Sequence, residues 1–418
     1  MELFIKFKKD YFNYLLSILL PAIISALSIP VLKQVLGSEG YGKFSIYFNA
    51  VLICTALLTG WLSQSIIRFY SLMPDKPVFM RQVILMTRNT QFLFFIPLFF
   101  LAWYFSGDII LALLMGIALY MTCMQFSMLA IAQSSFLSKK TIYSETIRVG
   151  AFVISGILLL LLVSGHYLYS LFIAVILSYL LSAFYLYKKT HSSFDKNAPA
   201  VAHENTTQLI KKFLRYGAPL SLWFVFAYLL TYVDKIFMLE HMGAQIQGNY
   251  QAIFDMLART ISLIISPVVI SLFPLITKAY SNGEVKEIRT VIKKIIYFEI
   301  AGLILTGILY WWFGADVLFF LLKTPPSGMY KMMGLIIIAA AFVMQIAVVV
   351  HKYFELKLKS FFLLGMIVIA FLVQLAFYIA FKKNDSPLLY PLGYLIAAFT
   401  YLLLVSFHQI VKAFKIIK

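Results

Sequence analysis

Long apolar segments alternate with short polar connections along the whole chain. A helix needs about 20 mostly apolar residues to cross a hydrocarbon core of about 30 Å, because its backbone polar groups must be satisfied internally. We predict twelve spans: 11–36, 44–70, 86–106, 108–134, 142–164, 167–187, 213–241, 250–279, 292–313, 331–351, 360–381 and 389–410. The pattern therefore predicts an all-α integral membrane protein with about 12 transmembrane helices.

The composition supports this fold class. Hydrophobic residues make up 62% of the chain, charged residues only 12%, and the mean hydropathy is +0.90, all far from the values of soluble domains. Cys54 and Cys123 both fall inside predicted spans, so they do not indicate a redox compartment. Residues 1–10 lack the small-residue cleavage site of a signal peptide, so we expect the first span to remain in the mature protein.

Basic residues are sorted onto alternate connections. The two tails and the even-numbered connections hold 27 of the 35 Lys and Arg residues. By the positive-inside rule, this bias predicts that both termini are cytoplasmic. The net charge of +18 thus reflects topology, and we expect no nucleic-acid partner.

A polar stretch at 188–212 divides the chain six spans to six. It predicts an N-terminal six-helix bundle (1–187), a cytoplasmic linker and a C-terminal six-helix bundle (213–418). The halves also repeat weakly, since Gly37 and Gly42 correspond to Gly243 and Gly248 at an offset of 206 residues. An even number of spans separates the copies, which indicates an axis along the membrane normal, and transporters built this way bind substrate between their halves.

The sequence contains no convincing catalytic or cofactor motif. Residues 37–43 match G-x-x-x-x-G-K, but Phe44 stands where a phosphate loop needs a hydroxyl, and no strand precedes the motif. The six histidines lack metal-ligand spacing, and no serine has a nucleophile-elbow context. We expect neither a cofactor nor a metal, and we expect that the protein is not an enzyme.

Five charged residues inside spans are candidates for function, because ionisable groups at membrane depth are costly. Asp234 and Lys235 lie on span seven, and Asp255 and Arg259 share one face of span eight. These four are either structural salt bridges or a site where the two cations serve an anionic substrate. Asp234, Asp255 and Glu299 are the acids that could couple an ion, although Glu299 is expected to snorkel or to pack against a cytoplasmic lysine.

Prolines mark predicted helix bends, since each removes an intrahelical hydrogen bond. They are Pro21 and Pro30 in span one, Pro219 in span seven, and Pro267 and Pro274 in span eight. Bent first helices in both halves would suit a protein that opens alternately to each side. Proline is also common in membrane helices without such a role.

Short motifs spread over the chain carry a family resemblance. They are VLG and YGKFS within 35–45, RFY at 68–70, YGAPL at 216–220, VDK at 233–235, GNY at 248–250 and FP at 273–274. Together they resemble the polysaccharide transporter family of the multidrug/oligosaccharidyl-lipid/polysaccharide exporter superfamily, and most of all O-antigen flippases of the Wzx type.

The resemblance implies two six-helix bundles around a central cationic cavity in a bacterial inner membrane. It implies transfer of an undecaprenyl-pyrophosphate-linked oligosaccharide to the outer leaflet, with membrane lipids and other glycan-assembly membrane proteins as further partners. Lys235 matches the basic member of the acidic-basic pair common in span seven, and Arg259 and Arg68 follow as substrate-binding candidates. Relatives often have Arg at this place, and Lys keeps the charge but loses bidentate geometry.

Two alternatives stay open. A multidrug or small-solute exporter of the same superfamily would share this architecture. A membrane-embedded glycan polymerase or acyltransferase would need a large external loop or an intramembrane catalytic cluster, and the sequence shows neither.

Overall fold

The protein is almost entirely helical in the part that the structure describes. The computed structural model describes the backbone of 2–70, 76–135, 137–163, 165–191, 206–281, 285–357 and 359–415. Its helices are α1 (Glu2–Phe69), α2 (Lys76–Ser106), α3 (Ile109–Ser134), α4 (Ser138–Leu162), α5 (Tyr167–His191), α6 (Thr206–Met242), α7 (Ala244–Ser281), α8 (Val285–Leu309), α9 (Ala315–Leu322), α10 (Gly328–Leu356), α11 (Ser360–Ala380) and α12 (Leu389–Lys415).

The helices have the length and composition of membrane spans. Ten stretches of the described residues are long and apolar enough to cross a membrane. One of them, Ile23–Phe69, has 47 residues and would extend about 70 Å, which is enough for two crossings. The helix α7 adds a further 38 residues of mostly apolar sequence. An all-α multi-pass membrane fold with about twelve crossings is therefore confirmed, and most predicted spans end close to the end of a helix.

A glycine divides α1 into its two spans. Gly37 has φ 70° and ψ 172°, a conformation that glycine adopts at little cost. Gly243, which separates α6 from α7, has φ 80°. These are two of the glycines that the sequence repeat relates. Both halves of the chain thus turn on a glycine of positive φ at equivalent positions, which agrees with the repeat.

The chain forms two compact units. The first unit comprises Met1–Lys43 with Leu229–Lys418, and the second comprises Phe44–Tyr228. The predicted bundle boundaries at the polar linker stay a prediction, and residues 192–205 of that linker lie outside the described residues.

Aromatic packing and one close backbone approach hold α6 against α1 in the second unit. The ring of Phe213 stacks on Phe69 at 5.7 Å and meets Phe79 edge-on at 5.9 Å. One turn along α6, a Cβ atom on Gly217 would stand 2.0 Å from the carbonyl oxygen of Trp61. Glycine is required there because any side chain would collide with backbone.

In the first unit, α1 caps the carboxyl end of α9. The Lys33 ammonium donates to the carbonyl of Leu322 at 2.8 Å and to the hydroxyl of Thr324, and the Gln34 amide donates to the carbonyl of Leu321 at 3.0 Å. The last carbonyls of a helix lack intrahelical partners, so these bonds satisfy groups that would otherwise be orphaned. Lys33 falls near the outer end of the predicted span 11–36, and the structure buries it within α1.

A π-helical turn, Tyr310–Gly314, joins α8 to α9. The Tyr310 ring packs against α10, where a Cβ atom on Gly334 would stand 2.0 Å from the tyrosine oxygen. The next three side chains, Trp311, Trp312 and Phe313, are exposed. Such exposed aromatic residues are typical of helix ends at the membrane interface.

Candidate functional site

Asp234 and Lys235 lie side by side, deeply buried, near the end of α6. They are 0% and 2% exposed. Because successive side chains on a helix point about 100° apart, the acid and the base reach different neighbours. The Asp234 carboxylate accepts hydrogen bonds from the Tyr250 hydroxyl of α7 and from the backbone N–H of Lys235. Neutral donors thus satisfy the acid without using the lysine ammonium.

The Lys235 ammonium lies over the ring of Phe254, 4.5 Å from its centroid. This is a cation–π contact, which stabilises a buried charge but accepts no ordinary hydrogen bond. Among the described residues the ammonium forms no ion pair within 4 Å, although it lies within electrostatic range of Asp234, Asp255 and Arg259. No described residue accepts a hydrogen bond from its three N–H donors.

Asp255 lies on α7, one turn after Gln251, and is the centre of a second group of polar contacts. Its carboxylate accepts from the Tyr41 hydroxyl at 2.7 Å and from the Gln251 amide at 2.8 Å. Arg259 lies 3.6 Å away through its Nε atom and is half-exposed, with a further contact of 3.3 Å to Ser25 Oγ. The acid has several partners, while the guanidinium extends toward accessible space.

The structure therefore brings together four of the charged residues singled out in the sequence. Asp234, Lys235, Asp255 and Arg259 all belong to the first unit. Arg68 belongs to the second unit, where its guanidinium lies 4.8 Å from the ring centroid of Tyr216. The substrate-binding roles of Lys235, Arg259 and Arg68 stay predictions.

Glu299 differs from the sequence expectation. It is 1% exposed, and in the described part of the chain neither carboxylate oxygen has a hydrogen-bond partner. It lies 14 residues, or about 21 Å, along α8, which begins at Val285. It neither snorkels nor packs against a described lysine.

The predicted bending role of the prolines stays a prediction. Pro30 and Pro219 are buried within continuous helix. Pro21, Pro267 and Pro274 have helical backbone, but their side chains lie outside the described residues.

Arg148 is a partly buried cation of α4 that the sequence analysis does not single out. It lies 10 residues, or about 15 Å, into α4 and pairs with Glu145 at 2.7 Å. The Gln125 amide donates to the same carboxylate at 2.7 Å, and the guanidinium lies 5.3 Å from the ring centroid of Tyr179. Arg148 falls near the start of the predicted span 142–164, where polar residues lower the hydropathy of α4. The i,i+3 spacing of the pair is the available signal.

A polar network that the sequence did not indicate lies beside Asp234, Lys235, Asp255 and Arg259, which together form the charge cluster. The Ser38 hydroxyl donates to Asn249 at 2.8 Å, and the Asn249 amide donates to the Tyr330 hydroxyl at 3.0 Å. The buried Tyr394 ring meets Phe254 at 5.7 Å. The site therefore combines a buried cation with aromatic faces and neutral hydrogen-bonding groups.

A multi-pass helical membrane fold with a buried, charged and aromatic interior is compatible with a solute transporter. The sequence model of the family described as polysaccharide biosynthesis protein matches residues 7–280. The chain belongs to this family. No curated protein sequence matches the chain.

Solved transporter structures share the fold. A single-residue mutant of the MATE transporter VcmN from Vibrio cholerae has a TM-score of 0.73 at 13% identity, covering 96% of each chain. An inward-facing multidrug resistance MATE family transporter of the MOP superfamily has a TM-score of 0.69 at 13% identity, covering 93% of this chain and 94% of that one. A MOP superfamily transporter from Pyrococcus furiosus, described as having a binding pocket of reverse polarity, has a TM-score of 0.67 at 13% identity, covering 94% and 96%. Family and fold together support a membrane transporter.

Proposed function

We propose that this protein is a flippase for an undecaprenyl-pyrophosphate-linked oligosaccharide, an O-antigen repeat unit. It moves the glycan from the cytoplasmic to the periplasmic leaflet of a bacterial inner membrane by alternating access. Membership of the polysaccharide biosynthesis family supports a glycan-related substrate. The observation that carries the proposal is the buried Lys235 ammonium with its donors available.

Lys235 has the chemistry to hold a pyrophosphate. Asp234 and Asp255 are satisfied by tyrosine and amide donors, so neither carboxylate occupies the ammonium. A compact ammonium binds phosphate as a point charge, and charge-assisted hydrogen bonds are about twice as strong as neutral ones. The half-exposed Arg259, one turn from Asp255, supplies a second cation to the same region.

The surroundings of Lys235 suit a hydrophilic glycan on an apolar tail. Tyr250, Phe254 and Tyr394 pack together beside Lys235, and when alternating access opens this interior they offer apolar contact and hydroxyl groups to a sugar. A polyprenyl chain is apolar and can remain in lipid while its head group crosses. The protein then needs to shield only the pyrophosphate and the sugars.

The sidedness of the lipid-linked glycan tests this function. Deletion cells are complemented with the intact gene, Lys235→Ala, Lys235→Arg or Lys382→Ala, and the glycan is labelled from outside with an impermeant lectin. We expect cytoplasmic accumulation in deletion cells and its relief by the intact gene and by Lys382→Ala, a substitution of an exposed lysine.

We expect Lys235→Ala to slow transfer by about 10-fold to 100-fold, since hydrogen bonds to charged groups contribute about 1.5–3 kcal/mol. Lys235→Arg should retain part of the activity because it keeps the charge. Full transfer by Lys235→Ala at normal expression would contradict a role of Lys235 in substrate binding. Normal glycan sidedness in deletion cells would contradict the flippase function itself.

An exporter of small solutes is the second candidate, because the fold neighbours include a multidrug resistance transporter. This function predicts that deletion sensitises cells to drugs while the surface glycan stays intact. Measuring drug sensitivity on the same deletion strain separates the two candidates.

A further inference from the structure

One face of α8 contains a carboxyl group where only apolar side chains are expected. The neighbours of Glu299 in sequence, Phe298 and Ile300, are 56% and 40% exposed, as lipid-facing residues would be. Glu299 itself is 1% exposed. The acid therefore points into the packed interior of the first unit, away from its exposed neighbours.

Packing between α8 and α10 fixes the level at which Glu299 lies. A Cβ atom on Gly302 would stand 3.1 Å from the Phe342 ring, and Tyr310 packs on Gly334, so the two helices run antiparallel. This register places Glu299 level with Gln345 of α10. The Gln345 amide donates to Ser262 of α7 at 3.3 Å, so all three helices meet near this level.

Charged residues are absent from the adjoining stretches of α7 and α10, and on α8 the nearest are Lys294 and Lys293, five and six residues before Glu299. Neither 332–350 of α10 nor 260–277 of α7 contains an Asp, Glu, Lys, Arg, His, Tyr or Cys residue. The nearest ionisable residues on those two helices are Lys331 and His351 on α10 and Arg259 and Lys278 on α7. On α8 itself, the positions three and four residues from Glu299 are Ile, Ile, Gly and Leu.

Glu299 thus contrasts with the other buried acids. Asp234 and Asp255 each accept hydrogen bonds from side-chain donors. For Glu299, the described residues supply no donor to either oxygen and no ion pair. An ionised carboxylate without partners is strongly disfavoured in an apolar interior, so the group is stable there only as the neutral acid.

We propose that Glu299 is a proton-binding site of this transporter. Its carboxylate takes up one proton from water when water reaches the space between α8 and α10. The neutral acid is then sealed in the conformation described here, and the proton returns to water when the interface opens again. A metal cation is a poor occupant, because it requires several oxygen ligands, whereas a proton needs only the carboxylate. The site is independent of which solute is carried.

Labelling of the unmodified protein tests the proposal without any substitution. Dicyclohexylcarbodiimide is an apolar reagent that reacts with protonated carboxyl groups. We expect mass spectrometry of the purified protein, treated at about pH 7, to find the adduct on Glu299 and not on the exposed Glu240. Equal labelling of the two residues, or labelling of neither, would overturn the proposal.

Unfolding at a series of pH values gives a second test. Glu299→Gln mimics the neutral acid, and Glu240→Gln is the matched control. We expect the folded protein to hold one proton that the unfolded chain releases above about pH 5. The equilibrium constant for unfolding of the unmodified protein should then rise by about tenfold per pH unit in that range, relative to the constant of Glu299→Gln. Glu240→Gln should follow the unmodified protein. Parallel pH profiles for the unmodified protein and Glu299→Gln would contradict the assignment, whatever the result of the glycan assay.

Discussion

Gly42 and Gly248, which the sequence repeat relates, lie against each other: a Cβ atom on Gly42 would stand 3.0 Å from the Cα atom of Gly248. A Cβ atom on Gly248 would stand only 1.8 Å from the carbonyl oxygen of Ser38. The start of α7 therefore packs directly on the backbone of α1, next to the segment that holds the charge cluster.

Gly248→Ala should destabilise the protein, because the new methyl group would collide with backbone that cannot move aside independently. We expect a cost of at least about 1–3 kcal/mol, the range for overpacking. Thermal unfolding in detergent measures this change. Gly307→Ala on α8 is the control, since a Cβ atom there meets nothing within 4 Å. The control should be neutral or stabilise the helix by up to about 1 kcal/mol. Equal unfolding temperatures for the two variants would contradict the contact.

Lys33→Met should loosen the end of α9. The substitution keeps the apolar stem but leaves the Leu322 carbonyl without its donor, at an expected cost of about 1–3 kcal/mol. Hydrogen exchange should become faster at residues 323–327, while Lys382→Met at an exposed position should leave it unchanged. Unaltered exchange in Lys33→Met would show that the cap does not hold this segment.

Tyr250→Phe should weaken transport by changing the acid beside Lys235. Without the tyrosine hydroxyl, the Asp234 carboxylate loses its side-chain donor and competes with substrate for the lysine ammonium. We expect a several-fold loss of transport at low substrate concentration, partly recovered by raising the concentration. Tyr297→Phe, at an exposed tyrosine of α8, is the control. A loss that substrate cannot offset would instead indicate a structural role for the hydroxyl.

Asp108 should make the stability of the folded protein depend on pH in the acidic range. It precedes α3, where a hydrogen bond from Tyr169, followed by the backbone amides of Leu111 and Ile110, lowers the pKa of its carboxyl. Because the pKa is lower in the folded state than in the unfolded chain, the carboxylate stabilises the fold at pH values above the unfolded pKa of about 3.9. This stabilisation is lost as the pH falls through the pKa of the folded state. Asp108→Ala should therefore unfold more easily at neutral pH and lose part of its acid sensitivity below about pH 4. Asp385→Ala, at an exposed loop position, should behave as the unmodified protein in the same unfolding series.

The spans could be predicted from sequence because a membrane imposes a length and an apolar composition on each helix. The proximity of Lys235 to Asp255 and Arg259 could also be predicted from the sequence, because these residues lie at similar positions along spans seven and eight. These signals are local or depend only on distance along a helix.

Tertiary contacts explain what the sequence did not reveal. Lys33 binds a carbonyl 289 residues away, so its burial could not be anticipated from its neighbours in the chain. Arg148 is obscured by the polar start of α4. Glu299 is buried by the packing of α8 against α10, a contact between distant parts of the chain that the hydropathy pattern does not indicate.

The π-helical turn at Tyr310–Gly314 has a consequence for comparing relatives of this protein. Such a turn holds one residue more than an α-helical turn, so it rotates all of α9 by about 100° relative to an uninterrupted helix. A relative that lacks the extra residue would carry the same lipid-facing side chains one position earlier. An alignment with such a relative needs a single-residue gap within 310–314, or it will pair exposed positions with buried ones throughout α9.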